Sequence, residues 1–361
     1  MSLQIKKSLE NITPYRSERR HVNQEGWIFA DWNEFLFSSS PKVLMEIKQF
    51  VDIAKYPIDN SDQLIELLCD YTHCDKSNIS IYSGSDDALK DIFNTYLDHK
   101  KSAIIFQPTY SQVESLILAN TNNLLISKIV RPTEEHIYNF EDIERADVVY
   151  LVHPNNPTGK LLEKSKVENL INIYENKLFI IDEAYYEYSG DTFSDLINKY
   201  QNLIITRTFS KAFGLAGLRI GYVLTNKQII QNLNKVKNIK SVNSIATLAA
   251  INALKDFHYY KACIQKVKDS KDLFYSKNKD YKKLKVFQSS GNFVLIKSDN
   301  SEELIKFLNS KKILVRDRSN MPGLKNCIRV TIGNINDSKK IINSFDDYEL
   351  LWKYLSLVSV N

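Results

Sequence analysis

The run from Thr206 to Gly221, Thr-Arg-Thr-Phe-Ser-Lys-Ala-Phe-Gly-Leu-Ala-Gly-Leu-Arg-Ile-Gly, collects four groups that act together in one chemistry. Lys211 offers an amine that can hold an aldehyde as a Schiff base. Thr208, Ser210 and Arg219 offer two hydroxyls and a guanidinium, which suit a phosphate on the same ligand. Glycines at 214, 217 and 221 let the backbone close around a bulky group. A lysine taken at random is a solvated surface residue. The neighbours of Lys211, and its partners elsewhere in the chain, argue otherwise.

Those partners sit where apolar runs end. Gln107-Pro108-Thr109-Tyr110 follows one run, His153-Pro154-Asn155-Asn156-Pro157-Thr158-Gly159 another, and Asp182-Glu183-Ala184-Tyr185 a third. Ligands bind at the carboxyl edge of a parallel sheet, so residues at these ends are expected to converge. The runs 103–106, 124–126, 148–152, 178–181, 203–206 and 221–224 read as buried strands. Helical stretches such as 162–174 alternate with them, which predicts an α/β fold with a mostly parallel central sheet. Helical spacing also follows Pro41 (Val43, Leu44, Ile47, Phe50, Val51) and recurs at Leu64, Leu67 and Leu68. A short strand at 79–82 precedes Ser83-Gly84-Ser85-Asp86-Asp87, which opens a helix. Beyond about residue 225 come helices over 228–240, 245–254 and 258–276. Strands at 286–287, 292–296, 313–315 and 328–332 then alternate with helices 301–309 and 337–345, the pattern of a smaller α+β unit. The expected division is an N-terminal arm over 1–40, a large domain over 41–255 and a small domain over 256–361.

Composition bounds the rest. The chain has 361 residues, 43% hydrophobic and 25% charged, as in a soluble globular protein. A net charge of +5 has no block of like charges behind it and gives no footprint for nucleic acid. Neither Gly-x-Gly-x-x-Gly nor a P-loop occurs. Cys69, His73 and Cys74 are close in sequence but lack a fourth ligand, so no metal site is assigned. No apolar signal region or membrane-length run is present, and the expected location is the cytoplasm.

Pyridoxal phosphate carries an aldehyde and a phosphate on one ring. The chain resembles the fold-type I pyridoxal-phosphate aminotransferases, specifically the class II histidinol-phosphate aminotransferase branch, from about Pro14 to Gly333. The resemblance rests on Asn-Asn-Pro-Thr-Gly at 155–159, Asp-Glu-Ala-Tyr at 182–185 and Ser-Lys-Ala-Phe-Gly-Leu-Ala-Gly-Leu-Arg at 210–219. It implies that Lys211 holds the cofactor and moves the substrate proton. Asp182 would face the pyridine nitrogen, Asn156 and Tyr185 the phenolic oxygen, and Tyr110 the ring face. Gly84, Ser85 and Asp86 would receive the phosphate at a helix start, completed by Thr208, Ser210 and Arg219. The family usually has Glu where Asp87 stands. Tyr56 and Tyr15 match tyrosines that reach a partner subunit's cofactor and substrate in a homodimer. Asn33, Arg316 and Arg329 match substrate-binding positions, the arginines suiting anionic ends.

The implied reaction is transamination between glutamate/2-oxoglutarate and a small phosphorylated amine such as histidinol phosphate. Decarboxylation of threonine or serine phosphate, and transamination of another phosphorylated compound such as a triose phosphate, use nearly the same cofactor residues. A ligand-sensing regulator built on the same fold would need a DNA-binding domain, for which the arm is too short. Phe35-Leu36-Phe37-Ser38 departs from the proline or glycine segment expected after Asn33-Glu34, at the substrate entrance.

Overall fold

The computed structural model describes residues 5–10, 12, 25–57 and 61–358. Among these, the strands form two sheets. The larger contains β2 (Ile79–Tyr82), β3 (Ser102–Gln107), β4 (Asn123–Lys128), β5 (Val148–Val152), β6 (Leu178–Asp182), β7 (Leu203–Thr208) and β8 (Gly221–Thr225). The smaller contains β1 (Ile28–Ala30), β9 (Leu284–Phe287), β10 (Phe293–Ser298), β11 (Ile313–Asp317) and β12 (Cys327–Thr331).

The order across the large sheet is β2-β8-β7-β6-β5-β3-β4. From β7 through β4 every neighbour is parallel. Strands β5 to β8 are buried along their whole length. That is why the sequence shows unbroken apolar runs rather than alternation. Alternate residues serve opposite faces. Ile104, Val149, Leu151, Phe179, Ile181, Leu203 and Ile205 enter one core cluster, while Ile105, Val148, Tyr150, Ile180 and Ile204 enter another. Burying each such aliphatic side chain is worth about 1.5–3 kcal/mol, so the strand ends are held firmly.

One strand departs from the parallel expectation. β8 runs antiparallel to β7, pairing Thr208 with Gly221 and Ile204 with Thr225. The connection over 209–220 contains only a 3-10 turn, Ala216–Leu218, and a parallel crossover needs a longer, usually helical, link. The Lys211 segment is therefore a wide turn at the sheet edge.

The smaller sheet has the order β1-β11-β12-β10-β9. Its apolar face packs on the helices Phe257–Lys277 and Ile335–Val358 through Ile264, Val267, Phe274, Ile341, Ile342 and Phe345. β1 pairs parallel with β11, which ties residues 28–30 to this sheet. The helix expected over 228–240 stops at Leu233. Asn243 caps the next helix, Ser244–Lys255, and the stretch between leaves Val236 and Ile239 exposed, so no buried apolar face sustains a helix there. The last helix, by contrast, extends well past 337–345. The helix after Pro41 ends at Gln49 and buries only Val43, with Leu44, Met45 and Val51 exposed. Among the described residues no helix is long and apolar enough to cross a membrane.

Candidate active site

Lys211 lies in the turn after β7. Phe209, Ala212 and Phe213 on either side are fully buried, and backbone bonds from Leu215 N–H to the Phe209 carbonyl (3.0 Å) and from Phe209 N–H to the Ile220 carbonyl (3.0 Å) close the turn. The anchored flanks leave Lys211 half-buried. Its Nζ donates to the Trp32 carbonyl at 3.0 Å and lies 5.8 Å from the centre of the Tyr185 ring.

A cup for an anion forms beside it. Gly84 precedes the helix Ser85–Tyr96, and no side chain caps that helix, which leaves backbone N–H groups free at a positive dipole end. Arg219 Nη1 donates to Ser210 Oγ at 3.1 Å and Nη2 to Asp86 Oδ2 at 3.2 Å. Ser210 N–H donates to Thr208 Oγ1 at 3.0 Å, which brings the second hydroxyl into the cup. Gly84 has φ +88°, and a Cβ there would lie 2.7 Å from Arg219 Nη2. Any side chain at 84 would fill the cradle. Asp87 accepts from Ser83 N–H at 3.2 Å, so the shorter carboxylate still reaches the turn before the helix.

Asp182 ends β6 and is 4% exposed. Tyr150 donates to its Oδ2 at 2.9 Å and Ala184 N–H to its Oδ1 at 3.0 Å. Burial pushes its pKa up to about 6 despite both bonds, and Asp86 adds a smaller push in the same direction. Among the described residues no cation forms an ion pair with this carboxylate, and a protonated ring nitrogen would supply one. Tyr110 donates to Asp86 Oδ1 at 2.9 Å, linking the cup to the ring end of the site. Burial, with Asp86 next, pushes the Tyr110 phenol well up, so it stays a hydrogen-bond donor.

The third part of the site comes from the small sheet and residues 31–33. Arg329, on β12, is 4% exposed. Its Nη1 donates to Asn156 Oδ1 at 2.7 Å and its Nη2 to the Asp31 carbonyl at 2.5 Å. Asn33 donates from Nδ2 to Tyr185 Oη at 2.9 Å, and Asn33 N–H donates to Thr331 Oγ1 at 2.9 Å. Arg316 on β11 is paired in register with Arg329 across the antiparallel ladder and is half-buried. Asn156 itself is set by Asn155, whose Nδ2 donates to the Pro108 carbonyl (3.0 Å) and to Thr158 Oγ1 (2.8 Å).

The sequence and the fold match known proteins. The sequence profile of the family "Aminotransferase class I and II" matches residues 31–345. A dihydroxyacetone phosphate transaminase of Campylobacter jejuni is 32% identical, over 96% of this chain and 97% of its own. A histidinol-phosphate aminotransferase of Buchnera aphidicola is also 32% identical, over 96% and 98%. The chain belongs to the class I and II aminotransferases. The structure of a histidinol-phosphate aminotransferase from Sinorhizobium meliloti in complex with pyridoxal-5'-phosphate aligns with a TM-score of 0.86 at 24% identity, covering 96% of this chain and 98% of that one. That likeness carries the fold, fold type I.

As a pyridoxal-phosphate-dependent aminotransferase, the protein has residues that suit its cofactor on physical grounds. The Gly84 cradle with Arg219, Ser210 and Thr208 has the donors a phosphate needs, and the buried Asp182 has the charge a pyridinium needs. The structure gathers Lys211, Asp182, Tyr185, Tyr110, Asn156, Gly84, Ser85, Asp86, Thr208, Ser210, Arg219, Asn33 and Arg329 into linked clusters, with Arg316 beside Arg329. Tyr56 stands apart on the surface, 77% exposed, with the Lys240 ammonium 4.0 Å from its ring centre. Tyr15 lies outside the described residues.

Sequence reasoning missed several residues of this aminotransferase's site. Tyr150 was legible only as an aromatic inside an aliphatic strand, and its hydroxyl reaches Asp182 because both side chains share one sheet face. Arg207 and Glu183, each next to a proposed cofactor residue, form a buried ion pair at 2.8 Å. Glu183 also accepts from Phe193 N–H (2.6 Å) and Thr192 Oγ1 (2.8 Å), and the Arg207 guanidinium stacks 3.6 Å over Tyr186. The pair joins the ends of β6 and β7, from which Asp182 and Thr208 project. Their signal was two charges inside otherwise apolar runs. The Phe35–Ser38 departure also finds its reason in packing. Phe35 lies against Phe37 and Tyr260, with ring centres 5.1 and 5.8 Å away.

Proposed function

We propose that this aminotransferase exchanges an amino group between glutamate/2-oxoglutarate and a small phosphorylated partner, with histidinol phosphate as the amine. The observation that carries this reading is the placement of two arginines opposite each other on β11 and β12, one of them tied to Asn156. Arg329 takes the carboxylate beside the reacting amine, and Arg316 takes the distal carboxylate of glutamate or the phosphate of the other substrate. The bound cofactor supplies an electron sink for charge developing at the substrate α-carbon. Lys211 moves the proton at that carbon, Asp182 holds a positive charge at the ring nitrogen, and Asn33 fixes the Tyr185 hydroxyl. The Campylobacter relative favours a second reading, in which the phosphorylated partner is a ketone such as dihydroxyacetone phosphate. Both readings need an anion contact at Arg316.

Losing a charge-assisted contact costs about 1.5–3 kcal/mol, on the order of 10- to 100-fold in affinity. Arg316→Leu should lower kcat/KM for histidinol phosphate by that much and leave histidinol, which lacks the phosphate, little changed. Arg329→Leu should harm glutamate at least as strongly. Equal losses for both amines in Arg316→Leu would remove the phosphate reading. Dihydroxyacetone phosphate as the better acceptor would select the second.

The enzyme is proposed to work as a homodimer with shared sites. Tyr56 lies under the Lys240 ammonium, and the two segments that meet there expose Val51 (87%), Ile53 (77%), Val236 and Ile239. Such a patch calls for cover. Tyr56→Phe and Lys211→Ala subunits, each impaired alone, should regain activity in purified heterodimers, because one composite site then has both residues intact. Heterodimers without recovery would exclude a cross-subunit role for Tyr56.

A further inference from the structure

Lys271 lies within the helix Phe257–Lys277 and is 6% exposed. Among the described residues no carboxylate forms an ion pair with it. Its ammonium donates instead to two backbone carbonyls, Ser289 at 2.7 Å and Gly291 at 3.0 Å. Burial pulls its pKa down to about 8, so holding a charge here is unfavourable. The location of those two carbonyls suggests why the charge is there.

Both belong to the turn over 288–292 between β9 and β10, and that turn meets three backbone segments at the substrate end of the site. On one side, Ser290 N–H donates to the Gly159 carbonyl at 2.8 Å, and Gly159 N–H donates to the Asn155 carbonyl at 2.6 Å. Ser289 crowds Gly159 so closely that a Cβ on 159 would lie 2.1 Å from Ser289 Oγ. The Gly159 loop carries Asn156, the acceptor of Arg329. On the other side, Asn292 Nδ2 donates to the carbonyls of Asn33 (3.1 Å) and Glu34 (3.3 Å), and Asn33 reaches Tyr185. Ile332 N–H donates to the Asn292 carbonyl at 2.8 Å, which fixes the end of the strand bearing Arg329.

We infer that Lys271 is a positioning residue for the substrate-carboxylate site: by pinning two carbonyls of the 288–292 turn it sets the Asn156–Arg329 and Asn33–Tyr185 contacts without touching substrate or cofactor. The inference rests on the assignment of the substrate carboxylate to Arg329. The cofactor's anion cup and Asp182 hang on β6, β7 and the 84–86 turn, which Lys271 does not touch. Its loss therefore weakens substrate affinity more than cofactor affinity, which keeps the cup and Asp182 and depends on the turn only through Asn156 and Tyr185.

The test uses Lys271→Met, which keeps the stem and removes the donors, in the full-length enzyme loaded with pyridoxal phosphate. Hydrogen exchange in peptides covering 155–161 and 288–292 should accelerate, while peptides covering β6 and β7 keep their protection. The dissociation constant for glutamate, read from the cofactor's visible absorbance, should rise by up to about 100-fold, the upper end of what one weakened charge-assisted contact is worth. Affinity for pyridoxal phosphate, by equilibrium dialysis, should fall far less than affinity for glutamate, because Asp182 and the anion cup stay in place while only Asn156 and Tyr185 depend on the turn. Lys271→Arg keeps the charge and should recover part of the glutamate affinity. Wild-type exchange at 155–161 together with wild-type glutamate affinity in Lys271→Met would overturn the inference, as would faster exchange throughout both sheets. If Lys271→Met does not fold, Lys271→Arg should still show faster exchange confined to the same two peptides, and its absence there would equally overturn the inference. Arg329→Leu measured alongside separates the two layers. Undiminished glutamate affinity in that variant refutes the carboxylate assignment alone, and Lys271 is then judged by exchange at 155–161.

Discussion

Replacing Lys211 by alanine should leave a folded protein with no useful turnover. The turn that carries this lysine is held by Phe209, Ala212 and Phe213, all fully buried, and by backbone bonds the substitution does not touch. The side chain itself contributes one hydrogen bond among the described residues, to the Trp32 carbonyl, at a half-buried position. Loss of one such bond is worth about 1 kcal/mol, too little to unfold a chain of this size. Catalysis is another matter. A positioned general acid–base contributes about 10²- to 10⁴-fold by proton transfer alone, and no other lysine stands in contact with Tyr185 among the described residues. Borohydride treatment of the wild-type enzyme should leave a pyridoxyl label on the peptide containing Lys211, and the variant should carry none there. Normal turnover in Lys211→Ala, or a label on a different lysine in the wild type, would dismantle the assignment of this residue.

The parts of the site that were legible in the sequence are those whose chemistry is written locally. Asp182 is visible because a charge closes an apolar run, and Lys211 because hydroxyls and an arginine surround it within one turn. The strands carrying them were equally visible, since β5, β6 and β7 are buried on both faces and so read as unbroken apolar segments. What stayed hidden depends on register and on long separations. Tyr150 reaches Asp182 only because Tyr150 pairs with Ile180 and Val152 with Asp182, and a register is not encoded in either strand alone. The reversal of β8 follows from the shortness of a link, not from the composition of the strand. Residues 31–34 read as an arm without periodicity, yet their carbonyls receive Arg329, Lys211 and Asn292 from distant points of the chain. A segment bonded through its backbone leaves no side-chain pattern to read. The same holds for Lys271, one lysine among many until its two carbonyl partners are seen.

Asp182→Asn should make the cofactor-free protein more stable near neutral pH and the enzyme far less active. The carboxyl is 4% exposed, and burial raises its pKa from an ordinary 3.8 to about 6. Below pH 4 it is protonated in the folded and unfolded chains alike and carries no penalty. Between pH 4 and 6 the folded protein keeps a proton that the unfolded chain has released, so stability falls as pH rises through this window. Above pH 6 the ionised group is buried in full, at a cost on the order of 3 kcal/mol. Asparagine removes that charge and retains the hydrogen bonds: its oxygen can accept from Ala184 N–H, and its amide can donate to the Tyr150 hydroxyl. Urea midpoints of the cofactor-free proteins should therefore diverge between pH 4 and 6, with the variant the more stable at pH 7. In the loaded enzyme the balance reverses. On the role proposed for Asp182, the charge that destabilises the cofactor-free protein is the one that would hold a protonated ring nitrogen, and asparagine could not neutralise that cation. Removing one preorganised electrostatic contact of this kind costs about 10²- to 10³-fold in kcat. Superimposable pH-stability curves for the two proteins would show that Asp182 is not strained by burial. Full activity in Asp182→Asn would show that the ring nitrogen is held elsewhere.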